Sequence, residues 1–290
     1  MGIVAGLVAA LSFGVGDFVA QRATRQLGWL PMMFWLQLMS LPLLLCAAIV
    51  GSGAPTLDGP VVTRVVLCGL ANLVGAIGLY RAFEVGKLSV VSPVASAFGA
   101  VTVLCSIVAG DPLPMGVLVA LGVVVFGVVL VSVVRASHET SSSAAPTGAG
   151  ARWGRGRGAG WALVAAVGFG TAFYGLDAAV DSLGPAWPIV GFRVVSLPLV
   201  LVMLRARRTP FPWPSRCALR LFVVAILETI GLIVYSIGLK TEHVGIVAVI
   251  ASLFAAVTVV LAQIVLRERL EWWQWAGIVA LLVGVAGVTR

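Results

Sequence analysis

The chain has 290 residues, of which 60% are hydrophobic and only 10% are charged. A soluble domain of this length would carry about 25% charged residues and could not bury so much apolar surface in one core, so a soluble protein is excluded. The net charge of +8 comes from arginines in the gaps between apolar segments. No basic face with interleaved aromatic residues is present, so we expect no nucleic-acid partner.

Ten segments are apolar and long enough to cross a bilayer. A crossing takes about 20 helical residues, and lipid offers no partner to free backbone groups, so each segment is predicted to be a helix. The first five spans are predicted at 2–20, 30–50, 62–82, 88–109 and 114–134. The second five are predicted at 159–179, 186–204, 217–239, 244–266 and 273–289. The predicted fold is therefore an all-α integral membrane protein.

The two sets of spans repeat each other at a spacing of 156 residues. Leu7–Gly14 resembles Leu163–Gly170, Ser40–Leu43 returns unchanged as Ser196–Leu199, and Ala95–Val103 resembles Ala251–Val259. Five spans is an odd number, so the second copy must enter the membrane from the opposite side, as in the inverted repeats of secondary transporters. We predict five-helix repeats at 1–135 and 159–290, joined by a flexible linker at 136–158 that is rich in Ser, Gly, Pro and Arg.

The connections between spans differ in charge. Most arginines follow spans one, three, five, seven and nine, whereas the other connections carry only Arg64 and Lys240. The positive-inside rule places the arginine-rich side in the cytoplasm and both termini outside. The predicted location is a cell membrane, of the type of a bacterial plasma membrane, and the chain is predicted to cross it many times.

Three short stretches carry a resemblance to a known family. They are Phe13–Phe18 in the first span, Phe192–Val195 in the seventh and the turn Arg267–Leu270 before the last. On these stretches the chain resembles the EamA family of the drug/metabolite transporter superfamily, which implies ten helices in two five-helix repeats and transport of small molecules. It departs from that pattern at Gln37, where the first repeat would carry an arginine, and at Asp111–Leu113, which replaces the corresponding turn. The resemblance also implies cytoplasmic termini, against the charge pattern.

Two pairs of polar residues are equivalent under the spacing of 156 and lie within spans. Gln37 matches Arg193, and Asn72 matches Glu228. An ionised carboxylate in mid-membrane costs about 2.5–3.5 kcal/mol on insertion scales, so Glu228 is expected to be paired or protonated. It could couple transport to protons or bind substrate, or it could form a static ion pair with Arg193. Asp17 could be a second titratable group at a gate, but pairing with Arg22 is slightly favoured.

Prolines and serines in the spans are further candidates. Pro42 and Pro198 are matched prolines that remove a helical hydrogen bond, and paired interruptions of this kind indicate a transport site. Pro93 has no counterpart and is predicted to shape access to one gate. Ser96 and Ser252 could line the cavity or serve helix packing. The neighbouring phenylalanines, 98 and 254, are expected to point elsewhere.

The function predicted from these features is secondary transport, in the form of export of small metabolites, amino acids or drugs by alternating access. Protons are a possible coupling ion, and small-molecule substrate and lipid bilayer are the other expected partners. The sequence contains no GxxxxGK[ST] phosphate loop, so direct coupling to ATP is not expected. The scattered cysteines and histidines predict neither metal nor cofactor. The alternatives are a membrane enzyme acting on lipid-linked substrates, or a passive facilitator; an enzyme is not favoured.

Overall fold

The computed structural model describes residues 1–55, 58–110, 115–132, 154–209, 213–215 and 217–266, with 272, 275–277, 279–280 and 283–284. These residues form helices and connections, with no strand in the described ranges. The helices are α1 Gly2–Leu27, α2 Trp29–Ser52, α3 Gly59–Val85, α4 Leu88–Ala95, α5 Phe98–Ala109, α6 Met115–Ser132, α7 Gly154–Leu183, α8 Trp187–Ala206, α9 Ala218–Leu239, α10 Val244–Ala251 and α11 Phe254–Leu266.

Eight stretches of the described chain are long and apolar enough to cross a membrane as helices. They correspond to the first four predicted spans and to the sixth through ninth, which confirms an all-helical protein that crosses the membrane several times. The fifth span corresponds to the shorter α6, and most of the tenth lies outside the described residues. Helix α7 begins at Gly154, inside the stretch 136–158 that the sequence predicted as a linker.

The sequence predicted one continuous helix for each of the fourth and ninth spans. In the structure, each of these spans is instead two short helices. The breaks lie between α4 and α5 and between α10 and α11. At the first break Ser96 Oγ donates to the carbonyl of Pro93 at 2.7 Å, and at the second Ser252 Oγ donates to the carbonyl of Val249 at 2.6 Å. A serine hydroxyl that binds a backbone carbonyl three residues earlier competes with the helical pattern. Because the second break has valine at the proline position, a proline is not needed to make it.

The other two prolines do not interrupt their helices, contrary to the prediction. Helix α2 continues through Pro42 and α8 continues through Pro198. Both prolines are exposed on the outside of the bundle, whereas nearby Gln37 and Arg193 are buried inside it. A proline removes only one helical N–H, and membrane helices tolerate this loss when neighbouring groups adjust. These prolines therefore face away from the interior.

Each half of the sequence packs its first helix against the other half. Helix α1 contacts α9, α10 and α11, and α7 contacts α3, α4 and α5. Thr258 Oγ1 donates to the carbonyl of Gly14 at 3.2 Å, and Thr102 Oγ1 donates to the carbonyl of Gly170 at 3.1 Å. Each member of one bond lies 156 residues from its counterpart in the other. The two halves are therefore joined by the same hydrogen bond at two equivalent positions.

Two glycines allow aromatic rings to lie directly against a helix. A Cβ atom at Gly75 would stand 2.7 Å from the ring of Phe169, and a Cβ atom at Gly231 would stand 2.5 Å from the ring of Phe13. Such distances are too short for any side chain, so only glycine fits. These contacts hold α7 against α3 and α1 against α9, and they fix the positions of the two rings.

Arginines mark one end of the bundle, which we call the arginine end. Here Arg25 Nη2 donates to the carbonyl of Gly86 at 2.7 Å, joining the end of α1 to the end of α3. Arg220 Nη1 donates to Gln26 Oε1 at 2.9 Å, joining the end of α1 to the start of α9. Gly158, near the start of α7, also contacts Gly86. Helix α1 therefore ends where α7 begins.

The opposite end of the bundle joins different termini. Trp187 Nε1, at the start of α8, donates to the carbonyl of Gly53 after the end of α2 at 2.7 Å. Gly2, at the start of α1, lies against the side chain of Glu242, which follows α9. Helix α2 therefore ends where α8 begins.

Candidate functional site

A cavity lies among the membrane-spanning helices and is lined from both halves of the chain. It encloses about 800 Å³ of space free of protein atoms, counting the part that is open at its mouth. Helices α1, α2, α3, α7, α8 and α9 supply most of its walls, and Phe98 and Phe254 enter it just after the two helix breaks. Binding sites for small molecules are concave, mostly apolar and carry a few polar groups, and the walls of this cavity have that composition.

The walls of the cavity combine aromatic and polar side chains. The phenylalanine rings contact one another, with the centroids of Phe98 and Phe254 stacked 6.0 Å apart and those of Phe169 and Phe173 stacked 5.9 Å apart. The aromatic residues that line the cavity, apart from Tyr80, are Phe13, Phe98, Phe169, Phe173 and Phe254. The polar residues that line it are Ser12, Asp17, Gln37, Asn72, Tyr80, Arg193 and Glu228.

An ion pair connects α8 and α9 inside the cavity. Arg193 Nη2 lies 2.7 Å from Glu228 Oε1, and the two side chains are 3% and 23% exposed. Within the described part of the chain, neither Glu228 Oε2 nor Arg193 Nε has a hydrogen-bond partner. Charged groups buried in a membrane protein normally pair fully, so this pair retains capacity to bind a further group.

A hydrogen bond between the equivalent helices of the two halves lies beside the ion pair. Gln37 Oε1, on α2, accepts from Ser196 Oγ, on α8, at 2.7 Å, and both side chains are buried. Asn72 lines the same cavity from α3. The structure therefore brings together all four polar residues that the repeat singled out, including Arg193 and Glu228.

Asp17 enters the cavity from α1 and is only partly buried. It forms no ion pair or hydrogen bond with the described residues, although its carboxyl group interacts electrostatically with that of Glu228. The expected pairing with Arg22 was wrong, since the Arg22 guanidinium instead lies 4.7 Å from the centroid of the Phe18 ring. Residues five apart on a helix point in different directions, so Asp17 turns inward when Arg22 turns outward.

Many of the residues that line the cavity are equivalent under the spacing of 156. Both members of six such pairs contribute to the walls, so the two halves contribute matching positions to one space. The pairs are Phe13 and Phe169, Asp17 and Phe173, Gln37 and Arg193, Asn72 and Glu228, Ala76 and Leu232, and Phe98 and Phe254.

Comparison with known proteins identifies the family. A model of the EamA-like transporter family matches residues 1–133 and 156–290, which is nearly the whole chain. The chain belongs to the EamA-like transporter family. This confirms the resemblance inferred from the motifs and places the protein among membrane transporters of the drug/metabolite type, a class that is generally not enzymatic.

Two further proteins are similar to this EamA-like transporter. The uncharacterized protein MJ1333.1 of Methanocaldococcus jannaschii is 26% identical over 134 residues, which cover 45% of this chain and 96% of that protein. A protein of known crystal structure aligns with 99% of this chain and 96% of its own, at a TM-score of 0.70 and 16% sequence identity. At that identity the likeness shows the fold alone.

Two predicted site residues of this EamA-like transporter do not line the cavity. Ser96 and Ser252 are buried and bind backbone carbonyls at the helix breaks. The residues that follow them by two, Phe98 and Phe254, do line it, so the expectation that these rings point elsewhere was wrong. Each break turns the chain so that the phenylalanine, rather than the serine, reaches the cavity.

Sequence reasoning missed most of the aromatic wall and Tyr80. A usable signal existed for Phe13 and Phe169, which fall at equivalent places in the repeated first span of each half.

The turn motifs 111–113 and 267–270 lie outside the described residues. Among the residues that the structure describes, no three His, Cys, Asp or Glu side chains converge in a way that could hold a metal ion.

Proposed function

We propose that this protein is a secondary transporter that moves a small organic solute across the cell membrane by alternating access to the central cavity. The observation that carries the proposal is the cavity itself, whose walls take matching positions from two repeated halves. In carriers built from repeats, the substrate site lies at the interface between the repeats, where rocking of the halves can expose it to each side in turn. Export of metabolites, amino acids or drugs is the predicted direction.

The halves are proposed to be inverted repeats of five helices each, giving ten crossings. The contacts at the bundle ends support inversion, because α1 ends where its equivalent, α7, begins, and α2 ends where its equivalent, α8, begins. The relative from Methanocaldococcus jannaschii matches only about half of this chain along nearly its full length, which favours two fused copies of one unit. The location in a bacterial plasma membrane remains a prediction from the sequence. The position of both termini outside the cell is also a prediction from the sequence.

Glu228 is the proposed proton-coupling group. Its carboxylate pairs with Arg193 on a different helix, so a proton added to Glu228 would remove the charge that holds α8 to α9. A ligand can shift an equilibrium between two conformations only through a difference in interaction with them, and a broken ion pair supplies such a difference. Gln37, Asn72 and Asp17 are proposed to contact the solute or to set the charge around it.

Counterflow in proteoliposomes tests this function. The purified protein is first screened for the metabolite that most raises its melting temperature, since a ligand that binds only the folded state stabilises it. Proteoliposomes are then loaded with that compound, and its labelled form is added outside with ionophores present to remove ion gradients. A carrier accumulates label transiently above its external concentration. Simple equilibration would indicate a passive pore, and chemical conversion of the compound would indicate an enzyme.

A further inference from the structure

The charged groups of the cavity do not balance. The side chains that line it include two carboxylates, those of Asp17 and Glu228, and a single guanidinium, that of Arg193. Arg193 pairs with Glu228, whereas Asp17 forms no ion pair with any described residue. When Asp17 and Glu228 are both ionised, the cavity carries one carboxylate more than its own cation can neutralise. Because unpaired charge within a membrane is costly, a positively charged ligand would complete the site.

The unpaired carboxylate lies beside an aromatic surface. Asp17 follows Phe13 by four residues on α1, so the two side chains share one face of the helix, about 5–6 Å apart at their Cβ atoms. Phe13 lines the same cavity as the other phenylalanines, among them the stacked pair of Phe169 and Phe173. A ligand with a cationic group and a ring separated by a short linker matches this spacing, and phenyl faces also attract cations.

We propose that the cavity binds an aryl-alkyl amine in its ammonium form, with the ammonium group on Asp17 and the ring among the phenylalanines. This assignment rests on the proposed transport function and names its substrate class. Arg193 and Glu228 remain paired beside the ligand and close the polar side of the site. An anion of the same shape is rejected, because its charge would face the Asp17 carboxylate.

Three probes that share one phenyl ring test the assignment: 2-phenylethylamine, 2-phenylethanol and phenylacetate. The melting temperature of the purified full-length protein is measured against the concentration of each probe. We expect 2-phenylethylamine to stabilise at about tenfold lower concentration than 2-phenylethanol, the difference expected from one charge-assisted hydrogen bond, and phenylacetate to be weakest. Equal stabilisation by the amine and the alcohol would overturn the proposal.

Asp17→Asn and Asp181→Asn are the matched variants. Asp181 is exposed on α7 and does not line the cavity. In Asp17→Asn the preference for the amine should disappear, while binding of 2-phenylethanol continues and shows that the cavity is intact. Asp17→Ser gives a second chance of a folded variant and should behave in the same way. Asp181→Asn should keep the full preference.

The outcome separates this inference from the transport function. An amine preference that persists without the Asp17 carboxylate refutes the assignment, as does a preference for phenylalanine over 2-phenylethylamine, which would point to a zwitterion held by Arg193. If counterflow succeeds with a solute that is not an amine, the transporter stands and the substrate class fails. If 2-phenylethylamine binds at Asp17 but counterflow fails, the site stands and the transport function fails.

Discussion

Thr102 and Thr258 make the same hydrogen bond on the two sides of the bundle. Each hydroxyl donates to the carbonyl of a glycine in the first helix of the opposite half, at 3.1 and 3.2 Å. The single hydrogen of each hydroxyl is shared with the carbonyl four residues before it in its own helix. The two threonines therefore connect the halves at equivalent points next to the phenylalanines that enter the cavity after the helix breaks.

Removal of either threonine hydroxyl should weaken the protein by a similar, small amount. Thr102→Val and Thr258→Val keep the side-chain shape and remove one interhelical bond, which within membranes contributes about 0.6 kcal/mol. The measurement is the free energy of unfolding in detergent. Thr63→Val is the control, because Thr63 is exposed and its hydroxyl bonds within its own helix. A clearly larger loss in one threonine variant than in the other would contradict the equivalence of the two contacts.

Removing one partner of the ion pair in the cavity should strongly lower the free energy of unfolding. Arg193→Met leaves the Glu228 carboxylate buried without its cation, and such changes destabilise proteins by about 3–5 kcal/mol. The double variant Arg193→Met with Glu228→Gln should recover most of this loss, because no uncompensated charge remains. Unfolding in detergent measures both.

The pair of Arg81 and Glu84 provides the comparison for that experiment. It joins residues three apart on α3, with side chains 37% and 29% exposed. Arg81→Met should cost no more than about 1 kcal/mol, as is usual for exposed pairs. If Arg193→Met costs as little as Arg81→Met, the cavity is wetter than the structure indicates and the pair is not the buried centre described here.

Glycine at two positions should be required for helix contact. Gly75→Ala and Gly231→Ala place a methyl group 2.7 and 2.5 Å from the rings of Phe169 and Phe13, and overpacking of this kind costs about 1–3 kcal/mol. Gly116→Ala is the control, because its Cβ would meet no atom within 4 Å. The measurement is the melting temperature of each of the three variants. An unchanged melting temperature in both Gly75→Ala and Gly231→Ala would mean that the two rings are free to move.

Proton coupling should depend on Glu228. An imposed pH gradient is expected to drive uptake of the stabilising compound into proteoliposomes of the unmodified protein. In Glu228→Gln the side chain cannot exchange a proton, so uptake should cease to respond to the gradient. Asp181→Asn should respond like the unmodified protein. Uptake by Glu228→Gln that still follows the gradient would remove this residue as the coupling group.

The polar centre of the site could be predicted from the sequence because of the repeat. Gln37, Asn72, Arg193 and Glu228 are polar residues within apolar spans, and the spacing of 156 pairs them. Burial of such groups in lipid is unfavourable, so they must face the bundle interior. The structure places all four on the cavity.

The apolar and helix-breaking features could not be assigned in this way. Lipid and protein interior are both apolar, so periodicity does not reveal which side of an apolar helix faces inward. From the sequence, Pro42 and Pro198 could therefore face either the bundle interior or the lipid. In the structure, both are exposed on the outside of the bundle. The breaks at Ser96 and Ser252 lie within long apolar spans, and the feature that the two breaks share is a serine hydrogen bond to a backbone carbonyl.

Labelling of the cavity from the two membrane faces tests the central claim most directly. Ser12 is small and lines the cavity, so Ser12→Cys is introduced after the native cysteines, Cys46, Cys68, Cys105 and Cys217, have been replaced. A membrane-impermeant maleimide is applied to right-side-out and inside-out vesicles. Leu38→Cys, on the outer face of α2, is the lipid-facing control and should stay unlabelled from both sides. Alternating access predicts that Ser12→Cys is labelled from each face. Labelling from one face only, under every ion gradient applied, would contradict it.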